Sequence, residues 1–229
     1  SILGPTVLPS GFAVRYEPAL APLEVGGDWY DVITLDEHRT AVVVGDCVGR
    51  GLQAASVMGQ LRSACRALLL QTISPSRALS ALDDFADVLP EAICTTVFCA
   101  IVDTGRGELV YSSAGHPPAI VAGAGGDLTL LDKATSVPLG VRAGMDRPEE
   151  RIDLALGATL LLYTDGLIER RGEGIDDGIA RAGRVLTANL TLPVDALVDR
   201  IVTELGHDSG QADDVAVLIY RHEVHQSSV

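Results

Sequence analysis

Apolar segments alternate with turn-forming residues along most of the chain, and their period predicts the secondary structure. Short apolar or alternating segments bounded by Gly, Pro, Asn or Asp are typical of strands, whereas apolar residues three or four positions apart are typical of helices. We therefore predict strands at 12–16, 30–35, 40–45, 96–102, 108–113, 119–122, 128–131, 159–163 and 215–220. The same criteria predict helices at 52–71, 75–89, 175–190 and 193–205.

The order of these elements predicts an α+β fold with four layers. Strands dominate both ends of the chain, and the helices come in two consecutive pairs. Two antiparallel sheets packed face to face, with a helix pair on each outer face, would bury the apolar side of every element. We expect one αββα domain at 12–222, a linker or N-terminal arm at 1–11 and a flexible tail at 223–229. The strand spacing from 94 to 131 also predicts an antiparallel meander.

Composition and charge narrow the classes of function. The chain has 229 residues and a formal net charge of −14, which argues against nucleic acid or an anionic membrane as a partner. It contains no apolar run of membrane-spanning length and no basic N-terminal lead, so we expect a cytoplasmic protein without a membrane span. Cys47, Cys65, Cys94 and Cys99 form no Cys-x-x-Cys pair, which indicates reduced, buried thiols.

Aspartates stand at the ends of several predicted strands. One apolar strand ends in Asp46, which lies between glycines, and Asp28 follows a Gly-Gly turn. Asp165 follows another strand, while Asp213 and Asp214 precede the last one. Carboxylates that meet at the rim of a core repel one another, and hard divalent cations such as Mg²⁺ or Mn²⁺ are their natural partners. Each aspartate alone also fits a turn or a helix cap, so the metal hypothesis depends on their convergence.

Six short motifs carry a resemblance to a known enzyme family. In chain order they are Gly26-Gly27-Asp28-Trp29-Tyr30-Asp31, Gly45-Asp46-Cys47-Val48-Gly49-Arg50-Gly51, Ala114-Gly115-His116-Pro117-Pro118, Pro138-Leu139-Gly140, Tyr163-Thr164-Asp165-Gly166 and Ala212-Asp213-Asp214-Val215. Together they resemble bacterial phosphatases of the sporulation stage II protein E type, within the metal-dependent protein phosphatase 2C-like superfamily. The resemblance runs from about residue 12 to residue 220.

The resemblance implies a helix-flanked β-sandwich with two Mn²⁺ or Mg²⁺ ions at one end. By matching position, Asp46 bridges the two ions, which activate a water, and the backbone carbonyl of Cys47 helps to hold one ion. Asp28 serves one ion, while Asp165 and Asp213 serve the other. The Cys47 side chain is expected to pack inward.

Two positions depart from the animal members of the superfamily. Val48 stands where those enzymes have a histidine proposed to protonate the leaving group. Leu23 stands roughly where they have a phosphate-binding arginine. We therefore expect a water on a metal ion to protonate the leaving group, and Arg50 is the candidate contact for the substrate phosphate.

Three polar residues in the motifs have alternative roles. His116 could act as a general acid, but its Gly-His-Pro-Pro context favours a structured turn. Asp31 and Asp214 are expected to surround the metal ligands or to form turns, without binding an ion themselves.

The leading hypothesis is a phosphoserine/phosphothreonine protein phosphatase in which a metal-activated water displaces the protein alkoxide in one step. The resemblance suggests that the substrate is a phosphorylated anti-sigma-factor antagonist in a partner-switching pathway of stress or sigma-factor signalling. It also suggests a sensory domain upstream and, as in some relatives, a kinase-like anti-sigma module in the same chain. Contact between two copies, as a homodimer, is a further expectation, and the missing initiator methionine suggests part of a longer protein.

Alternatives remain open from the sequence. Asp165 could instead be a nucleophile that forms an acyl phosphate, although Leu167 stands where such enzymes have a second aspartate. The chain could also be a catalytically inactive phosphatase-like binding or regulatory module that keeps the fold, although all the matched aspartates are present. A further hypothesis concerns regulation. The helices at 52–72 and 75–89 could transmit a signal from an upstream sensor or a dimer contact to Asp46.

Overall fold

The computed structural model describes residues 7–18, 26–142, 144–206 and 213–223. Leu23 and much of the predicted arm and tail lie outside these ranges. In chain order, the described strands are β1 Phe12–Glu17, β2 Asp28–Thr34, β3 Arg39–Asp46, β4 Thr96–Asp103, β5 Glu108–Ala114, β6 Ala119–Ala122, β7 Leu128–Leu131, β8 Thr135–Ser136, β9 Glu150–Asp153, β10 Thr159–Tyr163 and β11 Val215–Arg221. The described helices are α1 Leu52–Thr72, α2 Pro75–Ala86, α3 Ile175–Ala188 and α4 Val194–Leu205, with short 3-10 segments at Pro90–Ala92 and Asp165–Leu167.

The strands form two sheets, as the sequence predicts. The first sheet has the order β1-β11-β10-β6-β7, and all of its pairings are antiparallel. The second sheet has the order β2-β3-β4-β5-β8, with β9 also paired to β5. Its pairings are antiparallel except for the two-residue parallel pairing of β5 with β8.

The predicted meander is wrong beyond β5. β4 and β5 do form an antiparallel pair, but β6 leaves that sheet and pairs with β10 and β7 in the other one. The connection contains Gly115, at φ 68°, and two consecutive prolines, which have no N–H to donate to a ladder. The short strands β8 and β9, which the apolar pattern does not predict, cover the edge of β5 instead.

Alternating side chains of the strands build three apolar layers. Val42 and Leu162 point into the layer between the two sheets. Their neighbours Val43 and Leu161 point outward, to the layer under α1 and α2 and to the layer under α3 and α4 respectively. Successive strand residues face opposite sides, and here both neighbours are apolar. These inner strands therefore contribute to a core layer on each face. The four-layer αββα sandwich predicted from the sequence is therefore the observed architecture.

Local sequence explains where the first two helices begin and end. α1 stops at Ile73, which has a left-handed backbone (φ 47°). α2 starts after Ser74, whose hydroxyl accepts a hydrogen bond from the Arg77 N–H, and Pro75 occupies its first turn as predicted. The Glu149 carboxylate accepts further hydrogen bonds from Ser76 at this helix start. This carboxylate stabilises the N-terminal end of α2.

Two further expectations concern membranes and thiols. None of the helices in the described ranges is long and apolar enough to cross a bilayer. Cys47, Cys65 and Cys99 are free and buried, as expected. Cys94 is free but exposed, which corrects the expectation of burial, because it lies in the turn between the Pro90–Ala92 segment and β4.

Candidate metal centre

Asp28 and Asp46 lie directly opposite each other on neighbouring strands. Asp28 begins β2, Asp46 ends β3, and their Cα atoms are partners in the antiparallel register. Trp29 packs on the outer side of this sheet, under α1, so the two aspartates point inward, towards the first sheet. Asp28 is only 3% exposed, and its Oδ2 has no hydrogen-bond partner in the described part of the chain.

Burial and mutual repulsion shape the ionisation of this pair. Burial first, and then the neighbouring Asp46 carboxylate, raise the pKa of Asp28 well above its ordinary value. Burial first, and then Asp165, raise the pKa of Asp46 to about 7. This arrangement stores unfavourable charge that a cation would neutralise.

The other two matched aspartates come from the first sheet. Asp165 follows β10, and burial, followed by the charge of Asp213, raises its pKa. The connections of β10 and β11 are held together by Thr164, whose N–H donates to the Ala216 carbonyl (3.0 Å) and whose hydroxyl accepts from the Ala216 N–H (2.9 Å). Asp165 and Asp213 both raise the pKa of Asp46, so their charges act on the pair from the opposite sheet.

These carboxylates lie near one another, but the described residues do not form a complete set of metal ligands. In the ranges that the structure describes, no group of three or more His, Cys, Asp or Glu side chains could hold an ion as it stands. The structure brings Asp46 within electrostatic range of Asp165, Asp213 and Asp214.

The thiol of Cys47 is buried on the outer side of the second sheet. Its side chain is buried in the layer under α1, and burial raises the pKa of the thiol to about 12. Its N–H donates to the Gly27 carbonyl at 3.1 Å. A Cβ on Gly27 would lie 2.2 Å from the Cys47 carbonyl oxygen, so only glycine fits there. The inward packing of the thiol is as expected.

Asp214 belongs to the same group of charges. It is buried and contributes to the raised pKa of Asp46. A Cβ on Gly26 would overlap Asp214 Oδ2, so the Gly-Gly turn makes room for this carboxylate. Burial, followed by the charges of Asp214 and Asp28, raises the pKa of the Tyr16 hydroxyl. Asp214 thus lies within electrostatic range of Asp46 and Tyr16.

The expectation for Asp31 is wrong. Its side chain lies on the other face of β2, where it accepts hydrogen bonds from Arg66, including one from Nε at 2.9 Å. Arg62 Nη2 lies 3.6 Å from the same carboxylate. Since Asp28 and Asp31 are an odd number of residues apart on one strand, they must face opposite sides. Asp31 therefore anchors α1 to the second sheet and does not surround the metal ligands.

Arg50 lies at the exposed mouth of the site. Its Nη2 is 3.7 Å from Asp213 Oδ2, and both side chains are about half exposed. Val48, in the same glycine-flanked loop, is also exposed. The loop therefore presents a cation and an apolar side chain beside the carboxylates.

His116 is buried with both ring nitrogens bonded. Nε2 lies 2.9 Å from the Tyr163 carbonyl, which can only accept, so Nε2 carries the proton. Nδ1 then accepts from the Thr96 hydroxyl at 2.8 Å. Burial lowers the pKa of His116 to about 4. The ring links β4 to β10 as a neutral group, and this geometry supports the structural role over that of a general acid.

Two residues near the aspartates, Thr164 and Tyr16, are not among those predicted from the sequence. The Thr164 side chain hydrogen-bonds Asp28, which partly offsets the effect of burial on its pKa. Tyr16 on β1 is half-buried beside Asp214 and Asp28. Strand alternation could have placed Thr164 on the inner face next to Asp165, but nothing local to Tyr16 distinguishes it from an ordinary core residue.

Comparison with known proteins matches this chain to one family of phosphatases. The family described as stage II sporulation protein E matches residues 36–223. Phosphoserine phosphatase RsbP of Bacillus subtilis (strain 168) is 32% identical over 155 residues, covering 65% of this chain and 38% of RsbP. Phosphoserine phosphatase RsbU of the same strain is 28% identical over 152 residues, covering 66% of this chain and 45% of RsbU. The chain thus spans less than half the length of these curated relatives.

Solved structures share the architecture. The structure of the RsbU and RsbW domains of Rv1364c from Mycobacterium tuberculosis matches with a TM-score of 0.84 and 33% identity, over 92% of this chain and 59% of that chain. The PP2C phosphatase domain of SpoIIE from Bacillus subtilis matches with a TM-score of 0.81 and 18% identity, over 92% of this chain and 61% of that chain. The fold is therefore that of PP2C-like phosphatases.

Proposed function

Because this chain belongs to the stage II sporulation protein E family, we propose that it is a metal-dependent protein phosphatase acting on phosphoserine or phosphothreonine. The observation that carries the proposal is the buried, in-register pair of Asp28 and Asp46, on which the charges of Asp165 and Asp213 also act. The charges of Asp165 and Asp213 both act on Asp46, and the charge of Asp165 also acts on Asp28. Such a concentration of charge is expensive unless cations bind there.

The donor atoms fit hard divalent cations. All candidate ligands offer oxygen, as Mg²⁺ and Mn²⁺ prefer. Asp28 Oδ2 is buried without a hydrogen-bond partner among the described residues, which is the kind of acceptor that an ion satisfies. We propose that two ions bind, with Asp46 between them and the Cys47 carbonyl as a further ligand. Asp28 would hold one ion, and Asp165 and Asp213 the other.

Bound divalent ions supply a water that is activated near neutral pH and offset the charge of the phosphoryl oxygens. The residues of the chain orient the substrate and the ligands. Burial raises the pKa of Asp28, and the Thr164 hydroxyl beside it opposes part of that rise. Arg50 lies at the mouth beside Asp213, where its guanidinium could exchange this partner for a substrate phosphate. Val48 offers no proton donor where some relatives have a histidine, so the proton for the leaving alkoxide would come from water.

We further propose a cytoplasmic role in sigma-factor regulation. Curated relatives are named phosphoserine phosphatases, and a solved relative combines RsbU and RsbW domains in one chain. By this likeness, the substrate would be a phosphorylated anti-sigma-factor antagonist of a partner-switching pathway, and sensory or kinase-like domains would accompany the phosphatase. The net charge of −14 disfavours nucleic acid as the substrate. A homodimer is the assembly we would test first.

The test is hydrolysis of p-nitrophenyl phosphate and of phosphorylated anti-sigma-factor antagonists, in manganese and in chelator. We expect manganese-dependent release of phosphate, abolished in Asp46→Asn, with circular dichroism unchanged. Asp84→Asn is a matched control, because Asp84 is exposed on α2. Full activity of Asp46→Asn would overturn the proposal. Absence of calorimetric binding at millimolar manganese would instead favour the inactive binding module.

A further inference from the structure

A buried ion pair joins α2 to the segment after β8. The side chains of Arg147 and Asp83 are 0% and 3% exposed, and Arg147 Nη2 lies 3.1 Å from Asp83 Oδ1. Arg147 Nη1 donates to Ser136 Oγ (2.7 Å) and to the Val137 carbonyl (2.8 Å). Desolvating two charges is costly, and such pairs often add little stability over apolar side chains of the same size. The presence of this buried ion pair is therefore not explained by stability alone.

Asp83 also holds the backbone of the Pro138-Leu139-Gly140 motif. The Gly140 N–H donates to Asp83 Oδ1 at 2.8 Å. Gly140 has φ +70°, and a Cβ there would lie 3.3 Å from the Cα of Ile93, so this position requires glycine. Leu139 is fully buried in the layer under α1 and α2. The motif therefore has one tightly defined conformation, and α2 helps to define it.

On its other side, the motif is bonded to the segment that leads into β4. The Leu139 N–H donates to the Thr95 carbonyl at 2.9 Å. The Thr95 side chain lies beside the Cys47 thiol. The next residue, Thr96, is the register partner of Asp46 in the pairing of β3 with β4. A continuous set of contacts thus runs from α2, through the motif, to the strand end that carries two candidate ligands.

We propose that Asp83 and Arg147 are positioning residues for the candidate metal centre, an inference that rests on the proposed function. Asp83 fixes the backbone at Gly140, and the motif then fixes Thr95 and Thr96 against the end of β3. Without the acceptor at position 83, the Gly140 N–H loses its partner and the segment before β4 gains freedom. The affinity for divalent ions then falls, although the fold is retained.

Matched variants separate positioning from plain stability. The double variant Asp83→Leu/Arg147→Met keeps the volume of the pair and removes the acceptor of the Gly140 N–H. Asp84→Asn alters the exposed neighbour on the same helix turn.

The experiment is calorimetric titration of the 229-residue chain with manganese chloride, with thermal unfolding measured in parallel. For the double variant, we expect the dissociation constant to rise about tenfold or more, as for residues that orient metal ligands, while cooperative unfolding is retained. Asp84→Asn should bind as the unaltered chain does. A folded double variant with unchanged affinity would overturn the inference.

A second variant covers the case in which the double variant does not fold. Arg147→Lys keeps the charge but cannot reach Asp83, Ser136 and Val137 together. We expect weaker manganese binding with retained folding, and unchanged binding would again overturn the inference. If the unaltered chain hydrolyses phosphate and binds manganese but these variants do so equally well, this inference alone fails. If the unaltered chain binds no manganese, the proposed function fails and this inference fails with it.

Discussion

Asp28 and Asp46 face each other across β2 and β3, with their Cα atoms in register and both carboxylates turned towards the other sheet. Directly opposite positions bring side chains within about 5 Å of one another. Like charges in that relationship destabilise a sheet, and here both groups are also largely buried. The pair therefore lowers the stability of the sheet that carries it. Binding of a cation between the two carboxylates would explain why both are present.

Replacing one member of this pair should have opposite effects with and without metal. In chelator at pH 8, above the pKa of about 7 of Asp46, we expect Asp28→Asn to raise the free energy of unfolding by about 1 kcal/mol. In millimolar manganese, the unaltered chain should gain more stability than the variant, because ligand binding to the native state stabilises it. Urea unfolding in both conditions measures the two effects. A variant that is less stable in chelator would contradict this expectation.

Asp31 should behave differently, although it lies on the same strand. Asp31→Ala removes the buried carboxylate that lies within 4 Å of both Arg62 and Arg66. Because Arg66 is partly exposed and can turn to water, we expect a loss of about 2 kcal/mol, below the usual range for a buried pair. The loss should be the same in chelator and in manganese. A manganese-dependent loss in urea unfolding would show that Asp31 acts on the metal centre after all.

The packing of Trp29 on Gly45 offers a test of the layer under α1. A Cβ on Gly45 would lie 2.2 Å from the Trp29 ring, so Gly45→Ala should cost about 2 kcal/mol through overpacking. Gly59 on α1 is the matched control, since nothing lies within 4 Å of its Cβ position. Gly59→Ala should stabilise the chain by about 0.5 to 1 kcal/mol, because alanine favours the helix. Thermal unfolding distinguishes these opposite signs.

His116 should make stability depend on pH. Burial lowers its pKa from 6.5 to about 4, so the unfolded chain takes up a proton at a pH where the folded chain does not. The stability that the neutral ring contributes is complete above pH 6.5 and is lost as the pH falls towards 4, by roughly 3 kcal/mol in total. Above pH 6.5 this group should cause no change.

The check is the difference in unfolding free energy between the unaltered chain and His116→Gln, measured from pH 7.5 to pH 4. Other groups titrate in both proteins, so the difference isolates the ring. It should shrink as the pH falls, since glutamine carries no proton-linked loss. A difference that is constant with pH would mean that the folded ring takes up a proton as readily as the unfolded one.

The positions of residues that follow from the neighbouring sequence could be predicted well. The strand ends at Asp46 and Asp165 follow from apolar runs that stop at a Gly-flanked aspartate, and the structure places both at one end of the sandwich. Asp31 could not be assigned in this way, because its motif position suggested the site while strand alternation turns it to α1. The Arg147–Asp83 pair could not be predicted either, because its partners are distant in the chain and carry no shared pattern.

The sequence by itself determined the type and order of the main strands and helices and the position of acidic residues at strand ends, because period, capping and turn residues act between near neighbours. Only the tertiary structure decided that β6 leaves the sheet of β5, that Asp31 faces away from Asp28, and that Asp83 reaches Gly140. These outcomes depend on which distant surfaces pack together and on how buried charges find partners, and neither is encoded within a single segment.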